Sequence, residues 1–333
     1  MIISKIASPD FIYLNLHAEE VISTNYVKDG HSGIYVDRLT VETAKRAFEE
    51  VTSDSTAKNL VLNFRHINAC QKNLNKTIID LKNEGYKILL INLKKDVCED
   101  LSLTTISNPK NVADGEVWLR YYFFEDPEDA FTNVVVSIDE LFKATFQTKI
   151  KPFIDLHKKP HASSFVYLTS YVDIKKLLSH EKDLMLFSLY KLANKIRKEW
   201  ENEISKDPIL VCQSMNSAYI VSVLSNLLQL DILILDKIGP INKLYNRMGS
   251  TISADRKYIV VSDLVCLGTE VKIVKNLVQF MGGKYLGNVS LIKIETLADE
   301  DITGADATKA VFSINRTNNK ELNYNITTDL EQF

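Results

Sequence analysis

Tyr258-Ile259-Val260-Val261-Ser262-Asp263-Leu264-Val265-Cys266-Leu267-Gly268-Thr269-Glu270 is the most informative stretch of the 333-residue chain. An apolar run ends on an acidic residue, and a short loop with a glycine and a threonine follows. A helical pattern carried by Val271, Val274, Leu277, Val278 and Met281 then begins at once. Strand, tight loop and helix in that order aim backbone N–H groups and a helix N-terminus at one point beyond the strand end. That is where anions bind in open α/β sheets. Gly268, lacking a Cβ, lets the backbone approach such an anion closely.

Outward from this stretch the pattern repeats. Met185, Leu189, Leu192, Ala193, Ile196 and Trp200 recur on one face of a long helix, and Ile209-Leu210-Val211-Cys212 is an apolar strand. A helix over 218–228, a strand over 232–235, a polar stretch over 239–257, a strand over 258–261, a helix closed by Gly282-Gly283 and a strand over 289–294 complete the series. Strands alternating with helices imply a doubly wound parallel sheet. Nearer the N-terminus, Val41, Ala44, Phe48 and Val51 mark an amphipathic helix with Thr40 at its N-cap. Residues 59–64 form a buried strand, Leu74, Ile78 and Leu81 lie on a helix stopped by Gly85, and Lys87–Leu93 is a second strand. Between the two series, residues 108–111 and 114–115 read as turns and 139–146 as a short helix. The expected organisation is a small α/β domain over 1–104, a connecting segment over 105–154, a larger α/β domain over 155–300 and a C-terminal extension over 301–333.

Composition bounds the function. Lys+Arg number 40 against 43 Asp+Glu, a formal charge of -3, so no global basic field draws the chain to nucleic acid or anionic lipid. Residues 208–230 carry no charge, but Pro208, Gln213, Asn216 and six further polar residues interrupt them as they would a soluble strand, loop and helix. Residues 1–6 lack the apolar region of a signal peptide, and Cys70, Cys98, Cys212 and Cys266 have no C-x-x-C spacing; a cytoplasmic protein with reduced thiols is expected. His157 and His161 are separated by Pro160, which breaks any helix that would align them on a metal, and no metal site is expected.

The stretch 258–270 resembles the signature of type I phosphoribosyltransferases: an apolar strand, two acidic residues, two variable residues, then a loop of threonine, small residue and glycine. Asp263 stands at the second acidic position, Gly268 at the loop glycine and Thr269 at the following hydroxyl. The resemblance implies that Asp263 holds the ribose hydroxyls of phosphoribosyl pyrophosphate and that Leu267, Gly268, Thr269 and Glu270 cradle its 5′-phosphate. It extends over about 155–295. The loop with Ser214, Met215, Asn216 and Ser217 is similar to the one that receives pyrophosphate, and 239–257 to the hood, with Lys243 and Arg247 as its phosphate-facing cations. His161-Ala162-Ser163-Ser164-Phe165-Val166-Tyr167 is similar to the entry strand of orotate-type members. The implied reaction is displacement of pyrophosphate from C1 of the sugar by a base nitrogen, with Mg²⁺ neutralising the diphosphate, in a homodimer.

This chain departs from that pattern. Ser262 stands at the first acidic position, Cys266 at a loop hydroxyl, and Glu270 in the first helical turn; the loop of residues 213–217 has no Lys or Arg. Each change moves away from tight anion binding. Bland roles stand beside the functional ones: Asp263 as a turn carboxylate, Thr269 or Ser217 as an N-cap, Glu270, Lys243 and Arg247 as solvated charges. Residues 36–103 resemble the STAS-type regulatory fold, although His66-Ile67-Asn68-Ala69-Cys70-Gln71 lacks the hydroxyl and acid that family carries there; a generic α/β module is the other reading. Three functions follow: a Mg²⁺-dependent phosphoribosyltransferase, a non-catalytic nucleotide sensor that signals to a protein partner through the first module, and a purely structural partner.

Overall fold

A computed structural model describes residues 4–17, 38–54, 57–103, 111–114, 118–122, 134–157, 159–160, 166–235, 252–295, 304–317 and 325–332. The chain forms two compact units, Met1–Phe142 and Lys143–Phe333.

The first unit contains β1 (Ser4–Ala7), β2 (Phe11–His17), β3 (Arg38–Leu39), α1 (Val41–Asp54), β4 (Asn59–His66), β5 (Ala69–Cys70), α2 (Leu74–Asn83), β6 (Lys87–Leu93), α3 (Lys95–Asp100), β7 (Asn111–Asp114) and β8 (Trp118–Tyr122). Its sheet has the order β1-β2-β4-β6-β8-β7; β2, β4 and β6 are parallel and the outer pairings antiparallel. Alternate residues of the central strands, among them Leu14, Leu62 and Leu90, pack with Ala44, Phe48, Ile78 and Leu81 of α1 and α2. Thr40 caps α1 as expected, its hydroxyl accepting from the Thr43 amide at 3.2 Å, and Gly85 turns the chain after α2 with φ +91°. The other face carries a chain of side-chain amides across four strands. Asn92 donates to Asn63 Oδ1 at 2.8 Å, Asn63 donates to Asn15 Oδ1 at 2.7 Å, and Asn15 donates to Ser4 Oγ at 3.2 Å. Asn111 and Asp114, expected in turns over 108–111 and 114–115, are the two ends of β7, which pairs antiparallel with β8; 108–110 and 115 lie outside the described residues.

α4 (Val134–Ile150) contains the division between the units and is longer than the helix expected over 139–146. The second unit continues with β9 (Ile154–Asp155), β10 (Lys159–Pro160), β11 (Tyr167–Leu168), β12 (Tyr171–Val172), α5 (Ile174–His180), α6 (Lys182–Glu199), α7 (Glu201–Ile204), β13 (Ile209–Cys212), α8 (Met215–Leu228), β14 (Ile232–Ile234), β15 (Lys257–Val265), α9 (Thr269–Phe280), β16 (Lys284–Ile294), β17 (Thr308–Ile314) and β18 (Asn325–Ile326). The sheet β14-β13-β15-β16-β17 is parallel throughout. Val211, Tyr258 and Val260 pack with Val271, Val274 and Val278 of α9 on one face. Asp263, of opposite parity on β15, meets α8 on the other face, so the sheet is doubly wound as the sequence predicts. Thr308–Ile314 is its fifth strand, and Phe312 stacks on Phe146 of α4 with ring centroids 4.4 Å apart. Among the described residues no helix is long and apolar enough to cross a membrane.

Candidate functional site

The order of the parallel sheet singles out one place. β13 is followed by β14 on one side and then by β15 on the other, so the strand order reverses between β13 and β15. Helices leaving these two strands depart to opposite faces, and a crevice opens beyond their carboxyl ends; ligands of open α/β sheets bind at such switch points. Both loops singled out in the sequence lead into it.

The β13 side is built by serine capping. Ser214 has extended backbone and its Oγ accepts from the Ser217 amide at 3.0 Å, so Ser214, and not Ser217, is the N-cap. α8 therefore begins at Met215, three residues before the expected start. The Ser214 hydroxyl donates to Ser217 Oγ at 2.8 Å. Ser217 Oγ in turn accepts from the Asp263 amide at 3.1 Å and donates to Asp263 Oδ1 at 3.5 Å. Asn216 Nδ2 donates to Asp263 Oδ2 at 2.9 Å. Sequence reading treated the serine loop and Asp263 as separate ligand contacts; the fold brings them into one hydrogen-bonded cluster. Met215 lies beside it and is 85% exposed. The pairing between β13 and β15 was the signal that joins them, and it needs the sheet order, which one sequence does not display.

β15 runs through Val265, four residues beyond the expected end, so Ser262 and Asp263 are strand residues and alternate in direction. Asp263 is half-buried on the α8 face. Ser262 shares parity with Tyr258 and Val260, points to the α9 face and is 8% exposed. The position of the first acid is thus a buried strand position, while Asp263 beside it is half-buried and bonded to α8.

Beyond Val265 the loop of Cys266, Leu267 and Gly268 leads into α9. Gly268, not Thr269, occupies the N-cap; its φ is +66° and no side chain caps the helix. An ideal Cβ on Gly268 would meet nothing within 4 Å, so the space above it is open. Thr269 is the first helical residue and Glu270 is a half-buried acid in the first turn, where the carboxylate suits the helix dipole. Lys243 and Arg247 lie outside the described residues. So do 161–165 of the expected entry strand; Tyr167 pairs in β11.

Electrostatically the crevice is modest. Burial, reinforced by the Asp263 charge and opposed by the Ser214 amide, pushes the Cys212 thiol up to about 11, so this cysteine is not a thiolate nucleophile at neutral pH. All four cysteines are free thiols. Among the described residues no group of three or more His, Cys, Asp or Glu side chains could hold a metal ion. The site offers the Asp263 carboxylate, serine and asparagine side chains, and an open glycine at the start of a helix whose first turn carries Glu270.

No family model matches the chain, and no curated protein matches it in sequence. Solved structures similar to it include the adenine phosphoribosyltransferase of Thermoanaerobacter pseudethanolicus, 15% identical, with 50% of this chain and 98% of that one covered and a TM-score of 0.37. The orotate phosphoribosyltransferase of Aeropyrum pernix is 13% identical, with 52% of this chain and 93% of that one covered and a TM-score of 0.37. The adenine phosphoribosyltransferase of Rhodothermus marinus is 15% identical, with 51% and 99% covered and a TM-score of 0.37.

Proposed function

We propose that the second unit binds a phosphoribosyl-containing ligand, a nucleotide or phosphoribosyl pyrophosphate, beyond β13 and β15, and that it does so without transferring the sugar. The observation that carries this reading is the state of Asp263. It stands at the switch point beside an open glycine loop, as a ribose-binding carboxylate requires, yet both its oxygens are engaged by Asn216 and Ser217. In this reading Asp263 takes the ribose hydroxyls, the loop and first turn at Leu267, Gly268, Thr269 and Glu270 take the 5′-phosphate, and Ser214, Met215, Asn216 and Ser217 face the remainder. Lys243 and Arg247 are the cations assigned to a diphosphate.

Turnover is disfavoured on physical grounds. Leaving-group departure needs charge compensation at the diphosphate; the loop of residues 213–217 has no cation, which leaves that compensation to Lys243, Arg247 and a ligand-borne Mg²⁺. A protein-held Mg²⁺ finds no acidic pair on β15, because the position beside Asp263 is the buried Ser262 and the other acid of the site, Glu270, sits apart in the first turn of α9. We therefore assign any Mg²⁺ to the diphosphate of the ligand. The first unit, with its STAS-type resemblance, is the part we assign to signalling toward a protein partner.

Isothermal titration of the full chain with phosphoribosyl pyrophosphate plus Mg²⁺, and with adenosine monophosphate, tests binding. Heat is expected with at least one of them, weakened tenfold or more in Asp263→Asn; no heat at millimolar ligand refutes the reading. A pyrophosphate-release assay with adenine, hypoxanthine and orotate is expected to stay flat. Release that disappears in Asp263→Asn would instead establish a transferase.

A further inference from the structure

On the α9 face of the sheet, away from Asp263, lies a cavity of about 320 Å³, a volume in the range of small-molecule sites. Val265, Leu267 and Val271 give it an apolar lining, and Tyr285 a ring wall. Its polar side is held rigid from behind. Lys275 Nζ is clamped by Asp306, at 2.6 Å from Oδ1 and 2.8 Å from Oδ2, and lies 5.3 Å from the centre of the Tyr285 ring. The Tyr285 hydroxyl donates to the Ala305 carbonyl at 3.1 Å. Asn288, fully buried behind this wall, donates to Tyr285 Oη at 2.9 Å and to the Asp306 carbonyl at 3.3 Å. A wall whose polar groups are fixed by their own partners is preorganised before anything enters.

The charges of the lining do not cancel. Asp306 neutralises Lys275, whereas Lys272, one turn earlier on the same helix face, is exposed and its ammonium group makes no ion pair or hydrogen bond among the described residues. The remaining charge is one cation above an apolar pocket. A ligand matching that pattern carries one negative charge and an apolar body; a phosphate dianion would meet the Asp306 carboxylate with twice the repulsion. We propose that this cavity binds a small apolar carboxylate, its charge on Lys272 and its body against Val265, Leu267, Val271 and Tyr285. The site goes beyond the phosphoribosyl reading: it shares Leu267 and Gly268 of the loop before α9 with that reading, but runs along α9 to Tyr285 and Asp306, away from Asp263, and selects a different chemistry.

Titration of the full chain with 2-naphthoate, with its neutral isostere 2-naphthalenemethanol and with inorganic phosphate tests the assignment. Naphthoate is expected to bind once per chain, the alcohol at least tenfold more weakly, and phosphate not to displace naphthoate. Lys272→Gln, an exposed substitution, is expected to lower naphthoate affinity about tenfold without changing that of the alcohol. Asn276→Trp, which fills the cavity from its exposed rim, is expected to abolish binding of both. Absence of naphthoate binding at millimolar concentration overturns the proposal, and so does an affinity unchanged in both variants. Titration of Lys272→Gln with phosphoribosyl pyrophosphate separates the two readings: an affinity equal to that of the wild type is expected, and a loss would show that Lys272 serves the phosphoribosyl ligand and would overturn the proposal.

Discussion

Replacing Gly268 with alanine separates the backbone role of this residue from its role at the site. With φ at +66° the substitution places a β-carbon in the left-handed region, at a cost of about 1–2 kcal/mol. Nothing lies within 4 Å of that β-carbon, so no steric term adds to the conformational one. For a unit of this size (Lys143–Phe333) a loss of about 1–2 kcal/mol lowers the midpoint of thermal unfolding by roughly 2–8 °C. Gly85→Ala is the internal control: φ there is +91°, its β-carbon also meets nothing within 4 Å, and it lies far from the crevice in the chain. Both variants are expected to lose similar stability by calorimetry, each in its own unit. Only Gly268→Ala is expected to lose phosphoribosyl-ligand affinity as well, by tenfold or more, because its methyl group enters the space assigned to the 5′-phosphate. If Gly268→Ala matches the wild type in stability, the left-handed turn is refuted. If it binds ligand as well as Gly85→Ala does, the phosphate assignment fails while the turn stands.

Three further outcomes follow from the same geometry. Ser262→Asp completes in sequence the acidic pair of the signature that the stretch resembles, but buries a carboxylate; chemical denaturation should show a loss of about 3 kcal/mol or more, and no pyrophosphate release should appear. In Gly287→Ala the new methyl would sit 2.5 Å from Cζ2 of Trp200, so the indole must move; a cost of about 1–3 kcal/mol and a shift in Trp200 emission, read in a Trp118→Phe background, are expected. Cys212 has its folded pKa raised from the ordinary value of 9.0 to about 11, so folding favours its protonated form. Its contribution is fully present below pH 9 and declines as pH rises between 9 and 11; the decline should be absent in Cys212→Ser and so should appear in the pH–stability difference between wild type and that variant.

What was legible in the sequence is what local patterning controls. The strands and helices of the parallel sheet follow from apolar runs broken by polar loops, and Thr40 and Gly85 mark helix ends by their own chemistry. β17 escaped notice because Thr308-Lys309-Ala310-Val311-Phe312-Ser313-Ile314 mixes polar and apolar residues, as an edge strand with one covered face does, after a polar stretch that reads as a tail. The start of α8 was placed late because Met215 and Asn216 carry no helical periodicity, and only the Ser214 hydroxyl on the Ser217 amide fixes the cap. At the site, residue types were visible but orientation was not. That Ser262 and Asp263 point to opposite faces depends on β15 continuing through them, which an apolar run ending near Val261 does not reveal. The α9 cavity was invisible, since Lys275, Tyr285 and Asp306 meet only through the crossover between β15 and β17.

The amide chain across the first unit bears on how that sheet finds its alignment. Hydrophobic side chains on parallel strands tolerate a slide of two residues, because the same face is presented again. The relay from Asn92 through Asn63 and Asn15 to Ser4 does not: displacing β4 by two positions removes the middle of the relay and strands amides in a dry interior on both flanks. Four strands are thus keyed to one another like the wards of a lock, and sliding β4 is penalised at two joints at once.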